Sequence, residues 1–323
     1  MREVIRNMND STVQGFTLIE LVITMTLGSI LSVVVAIFIT RPVTAYVNVT
    51  RRAELIDTAD SALRRMARDI QRAVPNSVRV KQDPNNSKRV AVEMLNIVEG
   101  MRYRETPPGP FLDFTTPVTQ FNVIGLFKYA LSNATCIANN CRLVVYNTGE
   151  NNGGTIPADN PTAGANVYST VVAPNCSGCV PPPGSVTITP VGTSVALSNP
   201  SGSPEGQINL GSGVLFALSS ARQRINIVDT PVTYICDGST NQIIRYWNYT
   251  INSVQPTDPT FSPLNTAQSA LLAQDVTTCS FIYTPGTAQR NGTISMSITL
   301  SKSNTQSGDT ITLMRQVSVD NMP

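Results

Sequence analysis

Histidine is absent from this 323-residue chain. That excludes any mechanism needing an imidazole as base, nucleophile or metal ligand, and removes the side chain that titrates nearest neutral pH. Charge is scarce too, at 14% of residues, and it is unevenly spread. From Ser77 to the C-terminus, fourteen Lys and Arg stand against fourteen Asp and Glu, so the large C-terminal part lacks the basic excess of a nucleic-acid binder. The modest surplus lies between Arg41 and Asn76, with seven arginines against four acids. There is no G-x-S-x-G, Walker sequence or paired-carboxylate motif, and H-E-x-x-H is impossible without histidine. The sequence therefore reads as a non-enzyme with no cofactor. Its length allows one large or two small domains with a real hydrophobic core.

What the chain does have is a long apolar run from Phe16 to Thr40. A helix of that length crosses a bilayer core of about 30 Å. An ordinary secretory signal has a shorter apolar stretch and an A-x-A-like cleavage site, which is missing here, so the segment is expected to be retained as an anchor. Inside it stands Glu20, the only ionisable side chain between Asp10 and Arg41. A carboxylate in a membrane helix costs about 2.5–3.5 kcal/mol on insertion scales and persists only if something compensates it. The bland explanation is a glutamate snorkelling to the interface of a plain anchor. Gly28 and Ser32 form a small-xxx-small pair that would let a second helix approach closely.

Pro42 falls where the helix would leave the membrane and is expected to kink or locally melt it. Beyond it, Val49, Ile56, Ala59, Leu63, Met66, Ile70 and Val74 recur at spacings of three, four and seven, which predicts an amphipathic helix over 43–74. Its other face carries Arg51, Arg52, Asp57, Arg64, Arg65, Arg68 and Arg72, with Asp60 four residues before Arg64 and Arg65 four before Asp69. These read either as a solvated face with weak i,i+4 pairs or as contacts to acids on neighbouring subunits. Pro75 is expected to end the helix near Val74.

From Ser77 the texture changes to short β-rich runs between Gly, Pro, Asn and Ser. The stretches SVRVKQD, RVAVEMLNIVEGMRYRE, CRLVVYN, SVTITPV, VLFAL, RINIVDTPVTYIC, QIIRYWNYTI, SFIYTPG and GTISMSITLS read as strands, several alternating with period two. ENNGGTIPADNPTAGAN and SNPSGSPEGQ read as exposed loops. The expected fold is α+β: a long N-terminal transmembrane helix continues as an amphipathic helix packed on an antiparallel β-rich domain.

The opening GFTLIELVITMTLGSIL closely resembles the N-terminus of type IV prepilins and type II secretion pseudopilins. That resemblance implies a leader over 1–15, cut by a prepilin peptidase between Gly15 and Phe16, and N-methylation of the new terminus. Glu20 is then residue five of the mature chain and an assembly residue, paired with the N-terminal amine of a neighbouring subunit. The resemblance also implies a pilin helix over 16–76, spanning the bacterial inner membrane once over 16–40. A periplasmic globular domain over 77–323 follows. Partners are other major and minor pilins and the inner-membrane assembly platform.

Three further segments, ALRRMARDIQRAVPNSVRV, DTPVTYIC and LLAQDVTTCSFIYTPG through MRQVSVDNMP, resemble the O-type minor pilins of mannose-sensitive haemagglutinin pili, relatives of the J-type pseudopilins of type II secretion. That resemblance implies a structural subunit in pilus biogenesis. The alternatives are a J-type pseudopilin or, from the loop-rich stretch Asn147 to Gln207, a pilus-mounted adhesive or ligand-binding tip module.

Six cysteines, Cys136, Cys141, Cys176, Cys179, Cys236 and Cys279, lie in the β-rich part. Cys-x4-Cys followed by Cys-x2-Cys is a spacing a four-thiolate zinc site could use. In a periplasmic domain an even cysteine count favours disulfides. The sequence-local pairing is Cys136 with Cys141, Cys176 with Cys179 and Cys236 with Cys279, and the first two pairs could instead cross-link. A thioredoxin-like role for CSGC is disfavoured, since VPPPG follows it where a helix would be needed. The Asn-x-Ser/Thr triplets at Asn133 and Asn291 are given no role.

Overall fold

The computed structural model describes residues 15–151, 161–169, 173, 182–286, 291–302 and 310–319. The chain divides into two compact units between Glu54 and Leu55. One helix, α1, runs Leu18–Gln71 with Pro42 inside it. The expected melting at Pro42 does not occur: helix continues on both sides of it. A proline deletes a single backbone donor, and hydroxyls nearby add donors to the same turns. Thr40 Oγ1 reaches the Ala36 carbonyl at 2.8 Å, and Thr44 Oγ1 those of Thr40 and Arg41 at 3.1 and 2.9 Å.

Within the second unit, α1 buries Leu55, Ala59, Ala62, Leu63, Met66, Ala67 and Ile70. The stripe sits to one side of the one the sequence suggests, because Ile56 is exposed and Leu55 takes the core position. Both residues satisfy helical spacing to Ala59 and Leu63; only the direction of the sheet decides between them. The helix also stops earlier than Val74. Its last turn tightens through bonds from the Arg72 and Ala73 amides to the Asp69 and Ile70 carbonyls, and the Val74 amide then donates to Leu95 in the sheet at 2.8 Å.

The β part forms two antiparallel sheets. The larger holds β1 (Arg79–Gln82), β2 (Arg89–Tyr103), β3 (Val118–Ile124), β4 (Arg142–Val144), β5 (Val195–Ser198), β6 (Glu205–Val214), β7 (Arg224–Asp237), β8 (Gln242–Trp247) and β9 (Gln268–Gln274). Its order is β5-β6-β3-β2-β7-β8-β9, with β1 beside β2 and β4 beside β7. The smaller sheet is β10 (Val276–Thr284), β11 (Gly292–Ser301) and β12 (Thr310–Val319). A four-residue helix, α2 (Ala134–Ile137), is capped by Asn133, whose Oδ1 accepts from the Thr135 and Cys136 amides.

Four of these strands, β3, β5, β9 and β12, fall outside the sequence reading, β6 is met by it only at Val214, and the rest of VLFAL and all of SVTITPV contribute only isolated bridges at Phe216, Val186 and Ile188. The two stretches read as exposed loops also differ. Ala165 and Asn166 at the end of the first are buried, and the second is largely the β5–β6 hairpin turn, with Glu205–Gln207 already in strand.

Long strands β2 and β7 pair along almost their whole length and serve two cores. Val90, Val92 and Met94 with Val232, Tyr234 and Cys236 meet the α1 stripe and the inner side chains Met296, Ile298 and Leu300 of β11. Tyr103 and Ile225 at the other end pack with Phe121, Ile208 and Phe216. Removing one such side chain to alanine costs about 2–5 kcal/mol. Pro231, within central strand β7, stands opposite Leu95 beside a register shift, and the Leu95 carbonyl accepts from the Val74 amide in place of a donor that proline lacks. Gly238 is required by close approach: a Cβ there would lie 2.5 Å from the Thr277 carbonyl oxygen.

Candidate assembly site

Phe16 and the residues around it are exposed, and α1 begins one residue after Thr17. Thr17 is the cap: its Oγ1 accepts from the Glu20 amide at 3.3 Å, and its carbonyl accepts from the Leu21 amide at 3.1 Å. Thr-Leu-Ile-Glu is thus a capping-box sequence, with a hydroxyl at N-cap and a carboxylate three residues later, where the positive end of the helix favours it. The Thr17 cap is readable from the spacing, and of that box only the Thr17 half forms. Capping places the backbone; the Glu20 carboxylate itself has no protein partner among the described residues.

The rest of the apolar segment explains how it tolerates polar atoms. Thr24, Thr26, Ser29, Ser32 and Thr40 each donate their hydroxyl to a carbonyl three or four residues earlier, at 2.8–3.0 Å. No hydroxyl between Thr17 and Thr40 needs water. Ser32 in particular is bonded to the Gly28 carbonyl, so the small-residue pair presents a smooth surface. Every residue from Gly15 to Tyr46 is exposed, an apolar area that lipid or other helices must cover.

On the charged face, both anticipated pairs form: Arg64 Nε lies 2.6 Å from Asp60 and Arg65 Nε 3.5 Å from Asp69. Asp69 turns out to belong to the core side as well. It is buried, accepts from the Tyr234 hydroxyl at 2.7 Å and pairs with Arg245 at 2.9 Å. Burial first, and then the Asp69 charge, push the Tyr234 phenol well up. Arg68 and Arg72 are exposed and form no ion pair among the described residues.

The most perturbed groups in the molecule lie elsewhere, in a buried network that the sequence did not suggest. Arg79 pairs with Glu93 at 2.7 Å, and Tyr249 donates to Glu93 at 3.0 Å. Arg79 also stacks on Tyr168, with its guanidinium carbon 3.6 Å from the ring centroid, and donates to the Ser253 and Asn252 carbonyls at 2.6 and 2.8 Å. Burial raises both tyrosines, with Glu93 adding to it. So complete a set of partners stiffens the sheet.

Cys136 is bonded to Cys141 and Cys236 to Cys279, and no described cysteine is free. The first bond uses two of the four thiols a zinc site would need. The second ties β7 of the larger sheet to β10 of the smaller. Cys176 and Cys179 lie outside the described residues. No group of metal-ligating side chains occurs among those described.

A family model, the prokaryotic N-terminal methylation motif, matches residues 10–36. No curated protein and no solved structure matches the chain. The match covers Gly15, Phe16, Glu20 and most of the exposed apolar helix. Motif and helix together fit a membrane-anchored protein of the type IV pilin and pseudopilin kind, structural in character, that assembles with other pilin subunits after processing by a prepilin peptidase.

Proposed function

We propose that this chain is a minor pilin of a type IV pilus of the mannose-sensitive haemagglutinin kind, held in the inner membrane with its β-rich domain in the periplasm. It takes part in starting or building the filament. The observation that carries the reading is the carboxylate of Glu20, which has no partner among the described residues, on an exposed apolar helix and fifth after the Gly15–Phe16 junction. Cleavage at that junction frees the Phe16 amine, and a neighbouring subunit's amine is a counter-ion of the right sign and reach. Two unit charges 4 Å apart attract by about 4 kcal/mol at an effective dielectric of 20, an upper guide that desolvation reduces, yet enough to bias subunit register. Arg68 and Arg72 offer a second set of charges to acids on adjacent subunits.

The disulfides suit an oxidising compartment, in line with a periplasmic domain. The segments resembling O-type minor pilins include β10, β11 and the second half of β12, and the related J-type pseudopilin of a secretion system is the second reading. Intact mass of protein extracted from its native membrane tests the processing: the reading expects a chain beginning at methylated Phe16, and any other start overturns it. Proteins recovered with it separate the two systems, pilus subunits for one and a secretin with pseudopilins for the other.

A further inference from the structure

The globular unit contains a cavity of about 520 Å³ that plays no part in the assembly reading. That volume lies in the range of small-ligand sites. Its rim follows from a disulfide: the Cys136–Cys141 bond fixes the short loop whose flanking residues, Thr135 and Arg142 among them, line the space. Val191, Pro231 and Ile251 give it apolar surface, and Asp229 contributes a carboxylate.

Arg142 is a largely buried charge with no counter-ion among the described residues. Its strand is held against β7, with Arg142 opposite Val228, and against Thr189, whose Oγ1 accepts from the Leu143 amide at 3.0 Å. The guanidinium donates through Nε, at 2.7 Å, and through Nη2 to the neutral Thr189 carbonyl. A guanidinium has five N–H donors, and those on Nη1 meet no described acceptor. Arg142 forms no ion pair with a described carboxylate, Asp229 included, and burial alone pushes its pKa down to about 10, so it remains a cation at neutral pH. By contrast, the other well-buried arginines, Arg79 and Arg89, each have carboxylates in contact. A largely desolvated cation without a counter-ion is costly, and an anion entering the cavity would offset that cost. The planar fork of arginine matches a carboxylate.

Asp229 sets the rest of the chemistry. Its oxygens accept from the Thr230 amide at 2.7 Å and from Asn133 Nδ2 at 3.3 Å, and each has a lone pair to spare. A second negative charge on the ligand would be repelled, whereas hydroxyl or ammonium groups would be accepted. We infer that this cavity binds a small ligand with a single carboxylate, clamped by Arg142, whose hydroxyl or ammonium groups are received by Asp229. None of Gly15, Phe16 or Glu20 is involved, so the inference stands or falls separately from the assembly reading.

The test is calorimetric titration of the full-length protein in detergent. Galacturonate and glucuronate probe sugar acids, alanine and leucine probe amino acids, and galactose and sulfate serve as neutral and doubly charged counterparts. A member of one carboxylate pair should bind, and Arg142→Gln should weaken it at least about tenfold, the loss expected for a charge-assisted bond. Since Arg142 also holds Thr189, Val191→Trp is the second variant. Val191 is 73% exposed at the cavity, so the indole fills the space without entering a core, and binding should vanish with the melting temperature unchanged. Failure of all four carboxylates to bind at about 10 mM overturns the inference, as does equal binding of galactose or sulfate, or affinity indifferent to both substitutions.

Discussion

From Gly15 to Tyr46 no side chain is buried, whereas from Leu55 onward the chain encloses one apolar cluster after another. The contrast extends to polar atoms. In the apolar helix the hydroxyls from Thr24 to Thr40 are satisfied by its own backbone, and the one carboxylate has no partner among the described residues. In the β-rich unit Glu93 is fully buried, yet it has an arginine and a tyrosine in contact. A helix that completes its own hydrogen bonds but covers none of its apolar surface depends on other molecules for burial. The β unit, with its buried Arg79–Glu93 pair and, among the described residues, two disulfides, supplies most of its own partners. Unpartnered groups therefore carry different meanings in the two proposals: Glu20 is the group a neighbouring subunit would complete, and Arg142 the group a ligand would complete.

Breaking that contrast should be most costly inside the β unit. Arg79→Leu strands Glu93 without its cation in a site with no exposure, and chemical denaturation should show a loss of about 3–5 kcal/mol. Glu20→Gln should change the same measurement by less than about 0.5 kcal/mol, because no contact in the folded unit is lost. Replacing Cys236 and Cys279 together by serine opens a link with a sequence separation of 43 between the two sheets. A loss of about 2–4 kcal/mol is expected on the chain-entropy model, read from denaturation of the oxidised protein and the double variant.

A smaller effect sharpens the comparison through pH. Burial pushes Asp237 up, but the hydrogen bond and charge of Arg89, with the Ser239 amide, outweigh it and hold the carboxyl below its ordinary range. Asp258 behaves alike, with Thr260 and Arg89 outweighing burial. A folded-state pKa below the unfolded one gives stability that is present above about pH 4 and lost as pH falls through the folded value. Thermal melts should therefore drop on acidification below that point, and Arg89→Gln should flatten the acid limb. An unchanged limb in the variant would show that Arg89 does not set these carboxyls.

The N-terminal helix, its lone acid and the ends of β2, β7 and β11 are legible in the sequence because they rest on local signals: an unbroken apolar run, and period-two alternation rich in Val and Ile. Strand β6 is not, since EGQINLGSGV has three glycines and its burial arises only from pairing with β3 and β5. Strand β9, QSALLAQ, is an edge strand with mostly exposed side chains, so hydrophobic patterning has little to register. The buried Arg79–Glu93 pair is silent for another reason. Both residues lie in strands whose other face packs on α1, and only the approach of Tyr168, Tyr249 and the 252–253 backbone turns that outer side into an interior. At the N-terminus, Thr17 and Glu20 carry a capping-box spacing that a purely hydropathic reading passes over.

The central claim is that Glu20 is completed by another subunit. Its direct test is recovery of pilin partners with wild-type protein and with Glu20→Ala, at matched membrane abundance and with cleavage at Gly15 verified in both. Since removal of an unpaired charge makes an apolar helix easier to hold in lipid, lost anchoring cannot explain a defect confined to assembly. The account predicts that Glu20→Ala inserts and matures normally but recovers few partners. Equal recovery, with normal filaments, would contradict it and leave Glu20 as no more than an acid in the first turn of its helix.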